Sequence, residues 1–337
     1  ADTLVDVARR FDLGYREIGR ANPGVDMWLP GAGRAVVLPT QFVLPDAPRE
    51  GIVINIAAMR LYYFPRHERG ERQVVLTHPI GIGKIGWRTP VGVTRVLRKV
   101  KSPTWRPPTS IIKEHREEGD DLPTVVGPGP DNPLGDRAFY LGWSGYLIHG
   151  TNKPAGVGLR VSHGCVHLFP EDIDALFDKV PVGTPVRVVN QPFVFGWHDG
   201  QLYMQAFGSL EDDHGKPKAM PKHWLERAVG RRIERELARR HLKIDEALAA
   251  ELAQHPRGVP VPVTEPDASL GQVLAAAMQV RDALPQGANW DGITDLPADQ
   301  MNPPGTKQAA RSDAANASQP ATLKPISDRN ADARAAP

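Results

Sequence analysis

Proline and glycine punctuate this chain closely enough to argue against a helical bundle as its main architecture. There are 33 prolines and 32 glycines among 337 residues, and each interrupts the 3.6-residue pattern that long helices need. Turns, short strands and irregular loops are what such spacing favours. The chain is about 41% hydrophobic, enough to bury a core, and its length predicts two or three domains. Lys and Arg outnumber Asp and Glu by only 41 to 39, so bulk charge gives no argument for a nucleic-acid partner. No run reaches the ~18 apolar residues of a transmembrane segment. No basic-then-apolar leader opens the chain, and the start at Ala1-Asp2-Thr3 reads as a mature or trimmed form.

Residues 1–40 read as a small module. Asp2 or Thr3 caps a helix on which Leu4, Val7, Ala8 and Phe11 recur at helical spacing. A second short helix, Tyr15 to Ala21, runs into the turn Asn22-Pro23-Gly24, and Ala35 to Pro39 reads as a strand. Residues 41–50 read as a linker. A strand-rich block spans 51–190, with Gly51 to Ile56, Met59 to Phe64, Val74 to Thr77, Val91 to Val96, Tyr146 to His149 and Val186 to Val189 as its β candidates. Inside it, the proline- and glycine-rich stretch 99–137 reads as a long loop. Residues 191–290 read as a hairpin around Asp199-Gly200 followed by helices over 221–254 and Leu270 to Leu284. Residues 291–337 read as a disordered tail. The fold class expected is a mainly β central domain with a small α+β module before it and a helical extension after it.

Cys165 is the only cysteine, so no internal disulfide is available to it. It stands in Val161-Ser162-His163-Gly164-Cys165-Val166-His167, with His149 sixteen residues upstream. A reactive thiol needs a base and donors for the charge it creates, and this stretch offers both. If 161–168 is extended throughout, His163, Cys165 and His167 share one face. His149 ends a strand and is placed to act as base, oriented by a backbone carbonyl because no acid nearby offers itself. Backbone N–H groups at Gly164 and Cys165 are the candidate oxyanion donors. A second reading makes His149, His163, Cys165 and His167 the ligands of a zinc hydrolase, although paired zinc spacings are absent.

The run His149-Gly150-Thr151-Asn152, followed by Gly158 to Val166 with its Ser-His-Gly-Cys core, resembles the L,D-transpeptidase catalytic domain of YkuD type. Gly86-Trp87-Arg88-Thr89-Pro90-Val91-Gly92 resembles that family's upstream Thr-Pro-x-Gly signature. Residues 1–40 resemble a LysM module, a glycan-binding βααβ unit, through Leu4, Ala8, Asn22, Pro23 and Val37-Leu38-Pro39, without its first strand. A LysM-like unit before such a domain is similar to the periplasmic ErfK/YbiS branch. The resemblance implies a β-sandwich and a cysteine acyltransferase of peptidoglycan. Cys165 attacks the diaminopimelate–D-alanine bond of a tetrapeptide stem, His149 moves the proton, Gly150 orients His149 through its carbonyl, and Gly164 serves the oxyanion hole. His163 and Ser162 support, and His167, Arg160, Thr151 and Asn152 contact substrate. His167 departs from the arginine or asparagine common at its position. The acyl group passes to an amine, making a 3–3 cross-link or anchoring an envelope protein through a lysine. Water as acceptor makes a carboxypeptidase, and a non-enzymatic peptidoglycan-binding protein is the remaining alternative. No metal or organic cofactor is implied, and the location implied is the periplasm after signal-peptide removal.

Overall fold

Ile52, Val53 and Ile54 occupy one strand of the main sheet, and all three are buried. A strand covered on both faces needs apolar residues at every position rather than at alternate ones. The structure, a computed structural model, describes residues 2–67, 70–117, 119–210 and 221–280. The expected tail at 291–337, and the end of the helix expected to reach Leu284, lie outside those residues.

In chain order the elements begin with helices α1 (Leu4–Arg10) and α2 (Tyr15–Ala21). Strands β1 (Gly51–Asn55), β2 (Arg60–Phe64), β3 (Leu76–Pro79), β4 (Ile82–Gly83) and β5 (Gly92–Lys101) follow. Next come α3 (Thr109–Glu117), β6 (Arg137–Leu141), β7 (Leu147–His149), β8 (Arg160–Ser162), β9 (Val166–His167), α4 (Pro170–Phe177) and β10 (Pro185–Val189). The chain continues through β11 (Phe193–His198), β12 (Gln201–Ala206), α5 (Trp224–Arg240), α6 (Glu246–Gln254), β13 (Val261–Pro262) and α7 (Leu270–Ala275). Eight strands form one mixed sheet in the order β3-β2-β1-β10-β5-β6-β7-β9. β4 and β8 pair separately, as do β11, β12 and β13.

The largest core lies under this sheet. Ile52, Ile54, Leu61, Tyr63, Val186 and Val188 meet Ile173, Leu176 and Phe177 of α4. The other face of β1 and β2 presents Val53, Tyr62 and Phe64 to a smaller cluster that includes Phe42 and Leu44. Within the stretch expected as a linker, Phe42, Val43, Leu44 and Ala47 pack against these clusters, and residues 48–50 are exposed. Val43 enters a further cluster with Val194 and Phe207, and its N–H donates to Gln205 Oε1 at 2.7 Å.

Several expectations change in detail. The strand over Ala35 to Pro39 does not form. The Asn22 side chain takes the partner's place there, donating to Val37 O at 2.8 Å and accepting from Val37 N at 2.7 Å. One amide thus satisfies the backbone groups that a sheet ladder would have used. The loop at 99–137 holds α3, with strand β5 running into its start and β6 beginning at its end. The expected hairpin closes at Asp199 and Gly200, both at positive φ, as a two-residue turn of matching twist requires. The helix expected over 221–254 is interrupted: α5 breaks at Gly230, whose φ of +65° is not helical, and ends at His241 in the left-handed region, and α6 starts from the Asp245 cap.

Candidate active site

β7 and β9 run parallel, with Ile148 beside Val166 and His149 beside His167. Cys165 immediately precedes β9, so the thiol and the His149 ring are carried by neighbouring strands of one sheet. The chain does not stay extended between β8 and β9. Gly164 has φ +103°, a value that favours glycine, and a Cβ there would stand 2.9 Å from Tyr146 Cε1. This turn breaks the alternation, so His163 does not join a common face with Cys165 and His167.

Thr89 and Ser162 hold the turn. Thr89 Oγ1 donates to Gly164 O at 2.9 Å and accepts from Gly83 N at 3.0 Å. The threonine of the Thr-Pro-x-Gly signature thus ties the cysteine turn to β4. Ser162 Oγ donates to Cys165 O at 2.5 Å and accepts from Gly164 N at 3.2 Å. The Gly164 N–H expected to serve an oxyanion is therefore already engaged.

His149 is buried, and its Nδ1 lies 2.6 Å from Gly150 O. A carbonyl can only accept, so the proton sits on Nδ1 and the lone pair on Nε2. Burial, with His167 alongside, pushes His149 down to about 3, against the Gly150 and Leu134 carbonyls that favour the protonated ring. Burial pushes the Cys165 thiol up to about 11, against a Leu147 N–H that favours the thiolate. The sulfur also lies 3.6 Å from Gly145 O, to which the thiol donates. Both shifts favour a neutral thiol and a neutral imidazole at rest.

That state sets a pH signature. Thiolate fraction grows as pH rises and saturates only above the thiol pKa. Alkylation of Cys165 by iodoacetamide, which meets one cysteine in this chain, is expected to rise about tenfold per unit between roughly pH 7 and 10 and to level only near 11. A rate already level below neutral pH would show a preformed thiolate–imidazolium pair and sink the neutral-pair reading.

The other expected site residues fall in three places. His167 is 5% exposed, with its Nε2 3.2 Å from Gly156 O and its ring centroid 6.1 Å from that of His149. A Cβ on Gly81 would overlap its ring at 1.9 Å. The His167 ring is buried, stacked beside the His149 ring. His163 turns to Glu114, with Nε2 to Oε2 at 2.6 Å, and meets Trp87 edge-on. Lys84 Nζ donates to the same carboxylate at 2.6 Å. Glu114 lies on α3, and nothing in the local sequence around His163 announces it. Arg160 donates to Gly83 O at 3.3 Å, and Thr151 and Asn152 lie in the loop after β7, where Thr151 Oγ1 accepts from Lys153 N. The four residues of the zinc reading do not assemble: His163 faces Glu114, and they form no metal-ligand cluster among the described residues.

The site thus sets a free thiol, just before β9, next to the strand that ends in a carbonyl-oriented histidine. Residues 49–188 match the YkuD family model, described as the L,D-transpeptidase catalytic domain. That match covers the stretch from just before β1 into β10, less than half of the chain, and makes this part similar to that catalytic domain. "Probable L,D-transpeptidase YbiS" of Escherichia coli K12 is 47% identical over 205 residues, 60% of this chain and 65% of that protein. "Probable L,D-transpeptidase ErfK/SrfK" of Salmonella typhimurium is 46% identical over 209 residues, 61% of this chain and 66% of that protein. The chain thus spans just under two thirds of the length of these relatives. Among solved structures, an L,D-transpeptidase from Mycobacterium smegmatis is similar over 42% of this chain and 58% of its own, at 24% identity and a TM-score of 0.31.

Proposed function

We propose that this chain is a cysteine L,D-transpeptidase of peptidoglycan, with Cys165 as nucleophile and His149 as general base. The observation that carries the reading is the His149 ring, fixed by Gly150 O so that Nε2 bears the lone pair, on the strand beside the one Cys165 opens. The sulfur attacks the diaminopimelate carbonyl of a tetrapeptide stem as Nε2 takes the thiol proton. A neutral pair makes this proton transfer part of the attack rather than a step before it. The Cys165 N–H is the donor assigned to the developing oxyanion, since Gly164 N–H is bonded to Ser162. Collapse breaks the amide bond, and the imidazolium protonates the departing D-alanine amine. An acceptor amine, from a second diaminopimelate or from a protein lysine, then attacks the thioester carbonyl as His149 takes its proton; collapse breaks the C–S bond, and His149 returns the proton to the departing Cys165 sulfur. Peptidoglycan as substrate places this chemistry in the periplasm, and among the described residues no helix is long and apolar enough to cross a membrane.

Incubation with defined tetrapeptide muropeptides is expected to release D-alanine and yield 3–3 linked dimers, or peptide conjugates when a lysine acceptor is added. Tripeptide as the sole product would assign water as acceptor and a carboxypeptidase. Unchanged muropeptide, with no carbapenem-derived mass adduct on Cys165, would overturn the enzyme reading.

The same proposal takes residues 1–40 as a LysM-like glycan contact. Supporting it, Trp28 and Leu29 are exposed at 52% and 82% and their N–H groups are held by Asp26 Oδ1 at 2.8 Å. A flat aromatic on a fixed turn suits stacking against a sugar ring. Sedimentation with isolated peptidoglycan is expected to fall several-fold in Trp28→Ala; undiminished binding would remove this role.

A further inference from the structure

Away from the thiol, three side chains converge where the α1–α2 turn meets the β domain. Asp12 stands in that turn at φ +54°, His78 on β3 and Asp172 in the first turn of α4. One ligand atom from each lies within 4.8 Å of the other two. His78 Nδ1 is 3.0 Å from Asp172 Oδ1 and 3.5 Å from Asp12 Oδ2. His78 and Asp172 are 9% and 8% exposed.

The polar atoms here are poorly satisfied. Five buried side-chain N or O atoms among the described residues have no hydrogen-bond partner, and three of them are Asp12 Oδ1, His78 Nδ1 and Asp172 Oδ2. Nδ1 is close to carboxylate oxygen yet lacks hydrogen-bond geometry toward it. Buried polar groups are normally paired, and here His78 Nδ1 and the second oxygen of each aspartate, Asp12 Oδ1 and Asp172 Oδ2, are left without partners in one cluster. Two carboxylates drawn together also repel unless a positive charge stands between them, a place held either by an ion or by a protonated His78. Ligand atoms around a tetrahedral ion at roughly 2.0–2.1 Å stand about 3.3 Å from one another, and the two separations from Nδ1 bracket that spacing.

We infer that Asp12, His78 and Asp172 bind a divalent transition-metal ion, with zinc as the fitting case, that pins the N-terminal helical unit to the β domain. The donor set is one imidazole and two carboxylates, which suits zinc and leaves a fourth position for water. The seam is already fixed on either side. Arg9 pairs with Glu171 at 2.8 Å, and Tyr15 N donates to Val157 O at 3.0 Å. An ion there would serve as a staple and would lie outside the transfer chemistry.

The test uses the full chain, stripped with chelator and desalted. Titration with Zn²⁺ by calorimetry is expected to saturate near one equivalent, and Co²⁺ is expected to give the visible absorption of a four-coordinate site. Melting temperature should rise with free Zn²⁺, since an ion that binds only the folded state stabilises it by mass action. Asp172→Asn and, separately, Asp12→Asn keep the side-chain shape and should weaken binding at least about tenfold, the low end for disturbing a zinc site's outer shell. Cys165→Ala should bind as the unmodified chain does, which separates this site from the thiol. Absence of saturable binding would mean that His78 itself is the cation between the two acids and would overturn the inference. Equal affinity in both Asp→Asn variants, each shown to be folded by circular dichroism, would place the ion elsewhere and overturn it too.

Discussion

Cys165→Ala is expected to lower the rate of D-alanine release by on the order of 10⁶-fold, the scale seen when a hydrolase nucleophile is removed. Its fold should be intact, because the thiol fills little space and its donation to Gly145 O is weak. His149→Ala should cost about as much, and the double variant should be scarcely worse than either single one, since residues that act as a unit are not additive. Cys165→Ser is the sharper variant. A hydroxyl is far harder to deprotonate than a thiol, so an imidazole whose conjugate acid is held down to about 3 is a poor base for it. Serine should therefore fall close to alanine. The readout is released D-alanine per enzyme in a single-turnover assay, with circular dichroism to confirm folding. Recovery of substantial turnover in Cys165→Ser would mean that the base is stronger than the buried histidine described above, and the neutral-pair mechanism would fall.

The two partners of this proposed chemistry stand out in the chain because their residue types are costly to place by chance. A single cysteine is conspicuous by count, and a histidine closing an apolar strand before Gly-Thr-Asn is conspicuous by position. The surroundings are harder to read. Treating 161–168 as one strand assumes that alternation survives across Gly164, and the positive φ of that residue resets it. His163 consequently meets Glu114, some fifty residues earlier, on a helix inside the stretch whose prolines and glycines read as a long loop. The strands of the central domain follow from dense β-branched and aromatic runs. The missing strand at 35–39 fails for a physical reason that no periodicity carries: a side-chain amide competes successfully for the same backbone groups. Seams between units are the least legible of all. Arg60 interrupts the run Met59 to Phe64, and an interruption of that kind shows only that something buried must answer its charge.

Glu17 answers it, and Glu17→Ala is expected to destabilise the fold by about 3–5 kcal/mol. Arg60 on β2 is 1% exposed at its side chain and Glu17 on α2 is 5% exposed. The pair is bidentate, Nε to Oε1 at 2.7 Å and Nη2 to Oε2 at 2.9 Å. Burial opposes the guanidinium charge, but Glu17, with Asp12 adding to it, outweighs burial, so Arg60 stays charged. The ring of Phe42 lies 4.0 Å from the guanidinium carbon, and Nη1 reaches Thr77 Oγ1 at 3.3 Å. Glu17 also accepts from Gly14 N at 2.7 Å and so closes the start of α2. Truncating it leaves a buried cation without a counter-charge and frays that helix start together. For a body of this size the loss corresponds to roughly 6–20 °C in melting temperature. Arg60→Met combined with Glu17→Leu should lose much less than either single truncation, because an apolar pair of similar volume avoids the desolvation that the ion pair must overcome. A double-mutant cycle by chemical denaturation measures the coupling. Losses that simply add would mean that the two charges do not depend on each other. The consequence would extend toward the thiol, since α2 also holds the loop before β8 through Tyr15 N to Val157 O and Arg16 N to Gly158 O. A Cβ on Gly14 would come within 2.8 Å of Gly158 Cα, so the two backbones are in direct contact there. Weakening the seam at Glu17 should therefore reduce Cys165 acylation at temperatures where the β domain is still folded, and equal acylation rates up to the global melt would confine the pair to stability alone.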